Sequence, residues 1–221
     1  MSDLLLLGLI GGLIAVDGVA AVQSMISRPL VVGWGVGALL GVPMVGAQVG
    51  IVLELYLLVA VPSGGGRYPE GGTGTLVAVA AAAASLPSSG ALAVGVASGL
   101  VWGWIAGESQ SWIRRWNERR ADSPHHHLAR RDVNRAQRAG LAVDFARGGV
   151  VTLVGVIAVR IVAPRVTESW PLPADLTGSL LLAGALASLG IVVRGVAVSR
   201  ARAVVFGVGL LAGALLIRGV G

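Results

Sequence analysis

The chain contains no cysteine, and its three histidines form a single triplet, His125–His127. The lack of cysteine excludes a disulfide framework and a thiolate metal site. Because no histidine occurs elsewhere, most catalytic constellations that pair histidine with serine or aspartate are excluded as well. Adjacent histidines in a helix point in different directions, so the triplet makes a poor metal site. The sequence therefore predicts no metal site, no cofactor and no hydrolase.

Charge is also scarce. Charged residues make up 13% of the chain and hydrophobic residues 55%, whereas a soluble domain usually has about 25% charged residues. The 34 glycines are typical of transmembrane helices that pack closely or break. This composition predicts an all-α integral membrane protein, a polytopic helical bundle with broken or re-entrant helices.

The apolar stretches predict where the chain meets the membrane. The first, residues 4–22, is interpreted as a retained transmembrane segment, because no positive region precedes it as in a signal peptide. Residues 30–62 exceed the roughly 20 residues of one crossing but fall short of two, which predicts one crossing and a broken or re-entrant piece. Residues 76–105 contain a helix breaker and fit either a bent helix or a hairpin. Three further spans are predicted at about 148–164, 177–193 and 203–217.

A net charge of +6 would suit nucleic-acid binding. However, the arginines collect in segments between apolar stretches, which is the distribution that a membrane topology predicts. Residues 108–147 have the pattern of two amphipathic helices joined at Ser123-Pro124, which predicts a segment at the cytoplasmic interface. Placing 108–147 and the basic segment 194–202 inside, and 165–175 outside, satisfies the positive-inside rule. The predicted organisation is a membrane region with the candidate site (1–107), the basic segment (108–147) and a membrane region of three spans (148–221).

One carboxylate, Glu54, lies deep in the apolar run of residues 30–62. Burying a carboxylate without a partner is costly, so an intramembrane acid indicates a substrate or ion pathway. The alternative is a packing role in which Glu54 pairs with an arginine, such as Arg28 or Arg67. A glycine-rich loop, residues 63–75, follows this run.

Four sequence features occur here in a fixed order. Gln23 precedes the tripeptide Arg28-Pro29-Leu30, a glycine-rich apolar stretch then leads to Leu53-Glu54, and Pro69-Glu70 follows a glycine-rich loop. In this order and spacing the sequence resembles the membrane-spanning IIC subunit of the mannose/fructose/sorbose family of the bacterial phosphotransferase system. The match covers roughly residues 17–75, and the rest of the chain agrees in hydropathy and length.

The resemblance implies a permease subunit in the bacterial inner membrane that moves a hexose-type sugar inward. It implies a IID membrane subunit as partner, with the sugar bound between the two proteins, and an oligomeric assembly. Phosphoryl transfer would take place on separate IIA and IIB components, so the chain itself would carry out no covalent chemistry. The sequence does not name the sugar.

The resemblance also indicates which residues would contact the sugar. Carboxylate and amide oxygens accept hydrogen bonds from hydroxyl groups, and glycines let a backbone approach a ligand closely. The candidates are Asp17, Gln23, Glu54, Gly65, Gly66 and Glu70. Other roles stay open for several of them. Gln23 could form a hydrogen bond between helices, Asp17 could pair with an arginine of another subunit, and the two glycines could belong to an exposed flexible loop.

Two positions depart from the family pattern. Many members have Gly-Asp where this chain has Gly41-Val42, and the acid after Pro69 is often aspartate rather than Glu70. The missing acid leaves open a second function, a non-transporting membrane scaffold or regulatory subunit derived from such a permease. An integral membrane enzyme, a third class, has little support from the residues.

Overall fold

A computed structural model describes residues 2–19, 24–60, 67–121, 130–196, 204 and 207–209. Within these ranges the chain is helical, with no strand, which confirms the predicted all-α class. Among the described residues, three helical segments are long and apolar enough to cross a membrane: Ala91–Trp116, Asn134–Glu168 and Ala174–Arg194. The helices are α1 (Ser2–Val19), α2 (Pro29–Leu39), α3 (Pro43–Leu57), α4 (Gly71–Ala84), α5 (Ala91–Ala121), α6 (Arg130–Glu168) and α7 (Ala174–Val196).

The apolar run of residues 30–62 forms a hairpin of two short helices, α2 and α3. They have 11 and 15 residues, which gives lengths of about 16 and 22 Å at ~1.5 Å per residue. A bilayer core is ~30 Å thick, so neither helix is long enough to span it alone, which agrees with the broken or re-entrant helices predicted for this run. The break lies at Gly41, whose φ of +76° favours glycine, and Pro43 starts α3.

Glycines hold the two helices of this hairpin together. A Cβ built on Gly50 would lie 2.6 Å from the carbonyl oxygen of Pro29, and one built on Gly37 would lie 2.8 Å from the Cα of Gly46. A real side chain has no room at such distances. The glycine content therefore sets the close backbone contact between α2 and α3.

Helix α4 is the centre of the molecule. Its residues from Gly72 to Ala82 are all buried, and it contacts α1, α2, α3, α5 and α6. Small side chains permit this, since a Cβ on Gly99 of α5 would already lie 2.7 Å from the Cβ of Ala78. A turn between Ala84 and Ala91 separates α4 from α5, so residues 76–105 form a hairpin rather than one bent helix.

The basic segment of residues 108–147 does not form helices of its own. Residues 108–121 continue α5, which has 31 residues, and residues 130–147 begin α6, which has 39. The described parts of the segment are helical, and neither helix breaks where its composition changes. Ser123-Pro124 and the histidine triplet lie outside the described residues.

At the opposite end of the molecule, the α6–α7 turn is attached to the α4–α5 turn. Ser88 donates a hydrogen bond from Oγ to the carbonyl of Thr167 (3.1 Å), and Ser89 donates one to the carbonyl of Leu172 (2.9 Å). Helix α7 otherwise packs mainly on α3. Of the last predicted span, residues 203–217, only 204 and 207–209 are described, and they are helical.

Candidate functional site

A pocket of about 410 Å³ lies where four helix ends meet. Helices α1 and α3 end there, and α2 and α4 begin there. Three of the predicted site residues, Asp17, Glu54 and Glu70, line this pocket together. The other three, Gln23, Gly65 and Gly66, lie outside the described residues. The fold thus brings together acids that are far apart in the sequence, because each of them is close to a helix end.

Glu54 lies in the last turn of α3 and faces the start of α2. Its Oε1 lies 3.1 Å from Nη1 of Arg28, and its Oε2 accepts a hydrogen bond from the backbone N–H of Leu30 at 3.3 Å. A carboxylate is stabilised at a helix N-terminus because the first N–H groups lack partners within the helix. Of the two arginines considered as partners of Glu54, Arg28 forms the ion pair. Arg67 pairs instead with Glu108 at 3.2 Å.

The contacts with Arg28 and Leu30 leave hydrogen-bond acceptor positions of Glu54 unused. A carboxylate offers about four acceptor positions, and its two contacts in the structure use one on each oxygen. Its side chain stays 24% exposed and lines the pocket. Glu54 is therefore the acid with the most room to accept a further hydrogen bond from a ligand.

Asp17 holds the segment that precedes α2. Its Oδ1 accepts hydrogen bonds from the backbone N–H and the hydroxyl of Ser24, both at 2.7 Å, and its Oδ2 accepts one from the N–H of Ser27 at 2.9 Å. Between these serines, Met25 adopts a positive φ of 64°, a conformation that is uncommon for a residue with a side chain. The contacts of Asp17 therefore shape one wall of the pocket.

Glu70 immediately precedes α4 and is buried. Its Oε2 lies 2.9 Å from Nη1 of Arg147, its Oε1 accepts a hydrogen bond from the hydroxyl of Thr73, and its N–H donates to the carbonyl of Gly103 at 2.8 Å. These contacts come from three helices. Glu70 is thus held in place by these contacts and still forms part of the pocket lining.

The described end of the glycine-rich loop, residues 67–70, lies along α5. Arg114 donates a hydrogen bond to the hydroxyl of Tyr68 at 3.2 Å and lies over its ring, 5.9 Å from the centroid. Gly107 lets the backbone of Tyr68 approach α5, since a Cβ there would overlap the Tyr68 carbonyl. These contacts hold residues 67–70 against α5 at the pocket.

The sequence analysis missed Arg147, which it counted among the charges of the basic segment. In the structure its side chain is 5% exposed and contacts Glu70. A signal was available: Arg147 is the last charge before Gly148-Gly149 and the apolar run that follows. A charge at that boundary, next to glycines that allow close packing, has a greater chance of burial than the arginines before it.

The pocket lining combines three carboxylates with two arginine partners. Carboxylates supply acceptors, and the ion pairs with Arg28 and Arg147 offset two of the three negative charges. Among the described residues, no group of three His, Asp or Glu side chains is placed to hold a metal ion. The chemistry that the lining offers is that of hydrogen-bond acceptors.

Comparison with known proteins identifies the family of the chain. The model of the family described as the PTS system sorbose-specific IIC component matches residues 1–216, nearly the whole chain. The match confirms the resemblance found around residues 17–75 and extends it over the C-terminal half. No curated protein and no solved structure matches. The chain belongs to the sorbose-specific IIC family, the membrane subunits of sugar transporters of the phosphotransferase system.

Proposed function

We propose that the pocket between α1, α2, α3 and α4 binds a hexose-type sugar, which the chain moves inward for phosphorylation by a IIB component. The observation that carries this proposal is the convergence of Asp17, Glu54 and Glu70 on one pocket. A sugar presents hydroxyl donors in several directions, and carboxylates accept charge-assisted hydrogen bonds from them. Membership in the sorbose-specific IIC family supports the sugar as the ligand class.

The helix lengths also support a transport role. Helices α2 and α3 are too short to cross a bilayer, and an irregular backbone at membrane depth is tolerated only where it is buried in protein or lines a cavity. Here the ends of both helices line the pocket. Broken helices whose ends contact a central site are a common arrangement in secondary transporters.

The proposed topology places the pocket near the cytoplasm. The arginine distribution puts residues 108–147 inside, and α5 runs from the opposite side into this segment. The start of α4 lies against α5 at Gly103, so the pocket lies toward the same side. A sugar bound there would be close to a cytoplasmic IIB component.

The alternative function is a membrane scaffold without transport, which was based on the absence of an acid at Val42. The position of Val42 in the fold weakens this basis. Val42 is the N-cap of α3 and makes no capping hydrogen bond. It lies 12 positions before Glu54, about 18 Å along the helix, at the end away from the pocket. An aspartate at this position would cap α3, so its absence removes a cap and leaves the three pocket acids in place.

The partners proposed for this chain are a IID membrane subunit and the IIA and IIB components. Apolar side chains on α2, such as Trp34 at 60% exposure, fit a lipid or a partner helix. The test is uptake of radiolabelled sorbose, mannose and fructose by vesicles containing the chain with the IID, IIA and IIB proteins of its own system. Phosphoenolpyruvate and the phosphocarrier proteins that charge IIA are supplied on the cytoplasmic side, because the phosphoryl group that IIB transfers to the sugar must come from this donor. Uptake that requires the chain is the expected result, and the absence of both uptake and sugar binding would favour the scaffold.

A further inference from the structure

A buried ion pair connects the pocket to α6. Glu70 and Arg147 are 77 positions apart in the sequence, and their side chains are 6% and 5% exposed. The distance between Oε2 of Glu70 and Nη1 of Arg147 is 2.9 Å. Arg147 does not line the pocket, whereas Glu70 does. Among the residues that line the pocket, Glu70 is therefore the one that Arg147 contacts directly.

The guanidinium of Arg147 is fixed from two sides. On α5 it donates hydrogen bonds to the hydroxyl of Ser109 at 3.1 Å and to the carbonyl of Ala106 at 3.3 Å. On α6 its Nε lies 3.4 Å from Oδ1 of Asp144, which is an ion pair without hydrogen-bond geometry. Its Nη1 thus bonds to Glu70 and to α5 and its Nε lies near Asp144, while Nη2 is buried and makes no hydrogen bond with the described residues.

The backbone at this point of α6 is fixed as well. A Cβ built on Gly148 would lie 2.9 Å from the carbonyl oxygen of Gly11 in α1. Helix α1 carries Asp17, the other buried acid of the pocket. The close contact between α1 and α6 therefore sets Arg147 in a fixed position relative to both buried acids.

Stability alone does not account for a buried pair of this kind. Replacing both partners of a buried ion pair with apolar residues is often neutral or stabilising, whereas removing one partner strands the other charge. In this pocket, Arg28 offsets Glu54 and Arg147 offsets Glu70. Loss of Arg147 would leave a pocket whose lining carries two uncompensated carboxylates in place of one.

We propose that Arg147 is a positioning residue of the pocket: its guanidinium holds Glu70 in the pocket wall and offsets its charge. The role in sugar recognition rests on the proposed function, and the electrostatic role does not depend on it. In the sugar complex, Arg147 fixes which oxygen of Glu70 faces the ligand. It thereby contributes to selectivity without contacting the sugar.

The electrostatic role is tested with one introduced cysteine in a chain that has no native cysteine. Leu57→Cys places a thiol in the pocket lining. Its reaction rates with a cationic and an anionic methanethiosulfonate are compared in the purified protein, with and without Arg147→Met. Removal of the positive charge should raise the cation-to-anion rate ratio roughly three- to tenfold. Arg165→Met removes an exposed arginine on the same helix and should leave the ratio unchanged.

A double variant separates charge from misfolding. Arg147→Met with Glu70→Gln removes both charges and should return the ratio to the wild-type value. If Arg147→Met alone cannot be purified, the double variant is compared with Glu70→Gln alone, and the same rise in ratio is expected from loss of the arginine. A ratio in folded Arg147→Met equal to that of the Arg165→Met control would overturn the proposal.

Sugar uptake tests the positioning role. Arg147→Met should raise the half-saturating sugar concentration about tenfold and lower the maximal rate less, and Arg147→Lys should recover part of the loss. An equal fall in maximal rate for both variants with unchanged half-saturation would contradict positioning. A wild-type chain that neither binds nor transports any of the three sugars would refute the proposed function, and the thiol ratios would still decide the role of Arg147.

Discussion

Glu54 at the end of α3 forms an ion pair with Arg28 at the start of α2, with 3.1 Å between Oε1 and Nη1. The two residues are 26 positions apart, and the pair closes the hairpin of two short helices at the pocket. The same carboxylate therefore belongs both to the packing of the hairpin and to the lining of the pocket. A substitution at Glu54 must be designed to separate these two roles.

Glu54→Gln is expected to weaken sugar binding while the hairpin remains folded. The amide oxygen can still accept the hydrogen bond from the Leu30 N–H, but the negative charge is lost. Hydrogen bonds to charged groups contribute about 1.5–3 kcal/mol, so the affinity should fall roughly ten- to a hundredfold. Equilibrium binding of radiolabelled sugar to purified protein measures this change.

The control for this prediction is Glu168→Gln, which neutralises an exposed acid at the far end of α6. It should leave both sugar affinity and protein recovery unchanged. Normal affinity in Glu54→Gln together with poor recovery of folded protein would assign Glu54 to packing with Arg28 alone.

Val42→Asp is expected to stabilise the chain without changing sugar affinity. Val42 is the N-cap of α3 and provides no capping hydrogen bond, whereas an aspartate there can accept one from the first turn. Such caps contribute about 0.5–2 kcal/mol. Thermal unfolding of Val42→Asp, Val42→Asn and Val42→Ala in detergent measures the effect, and only the first two should gain stability. A large gain in sugar affinity in Val42→Asp would show instead that the acid acts at the binding site.

Gly46→Ala is expected to destabilise the α2–α3 hairpin. The added methyl group would lie 2.7 Å from the Cα of Gly37 and would overlap the carbonyl of Gly33, so the helices must separate. Overpacking of this kind typically costs about 1–3 kcal/mol. Gly35→Ala is the matched control on α2, because nothing lies within 4 Å of its Cβ position. Equal thermal unfolding of the two variants would mean that the hairpin contact is looser than described.

Single cysteines should report opposite sides of the membrane at the two ends of α6. Gln137 lies in the basic first half of the helix, and Ser169 follows its last residue; both are exposed. The arginine distribution places position 137 in the cytoplasm and position 169 outside. An impermeant thiol reagent added to intact cells should label Ser169→Cys and leave Gln137→Cys unlabelled until the cells are opened. The reverse pattern would invert the proposed topology and move the pocket to the outer side.

Several features followed from the sequence alone, because they depend on composition and local chemistry. The low charge content and the apolar stretches predicted an all-α membrane protein, and the order of Gln23, Arg28-Pro29-Leu30, Leu53-Glu54 and Pro69-Glu70 predicted the family; both predictions are confirmed. The roles of the six candidate site residues stay predictions. Hydropathy predicts a membrane protein because it reflects whether each segment is surrounded by lipid or by water.

Other features required the tertiary structure, because they depend on which segments meet in space. Hydropathy indicated a break within residues 30–62 but did not place it at Gly41. The predicted boundaries at 107 and 148 fall inside α5 and α6, which continue across them. The partner of Glu54 had two candidates in the sequence, and only packing of α2 against α3 selected Arg28. Only the tertiary structure showed that Arg147 is buried against Glu70, because α6 packs on α4 and α5. Burial depends on how the helices assemble and not on the sequence of one helix.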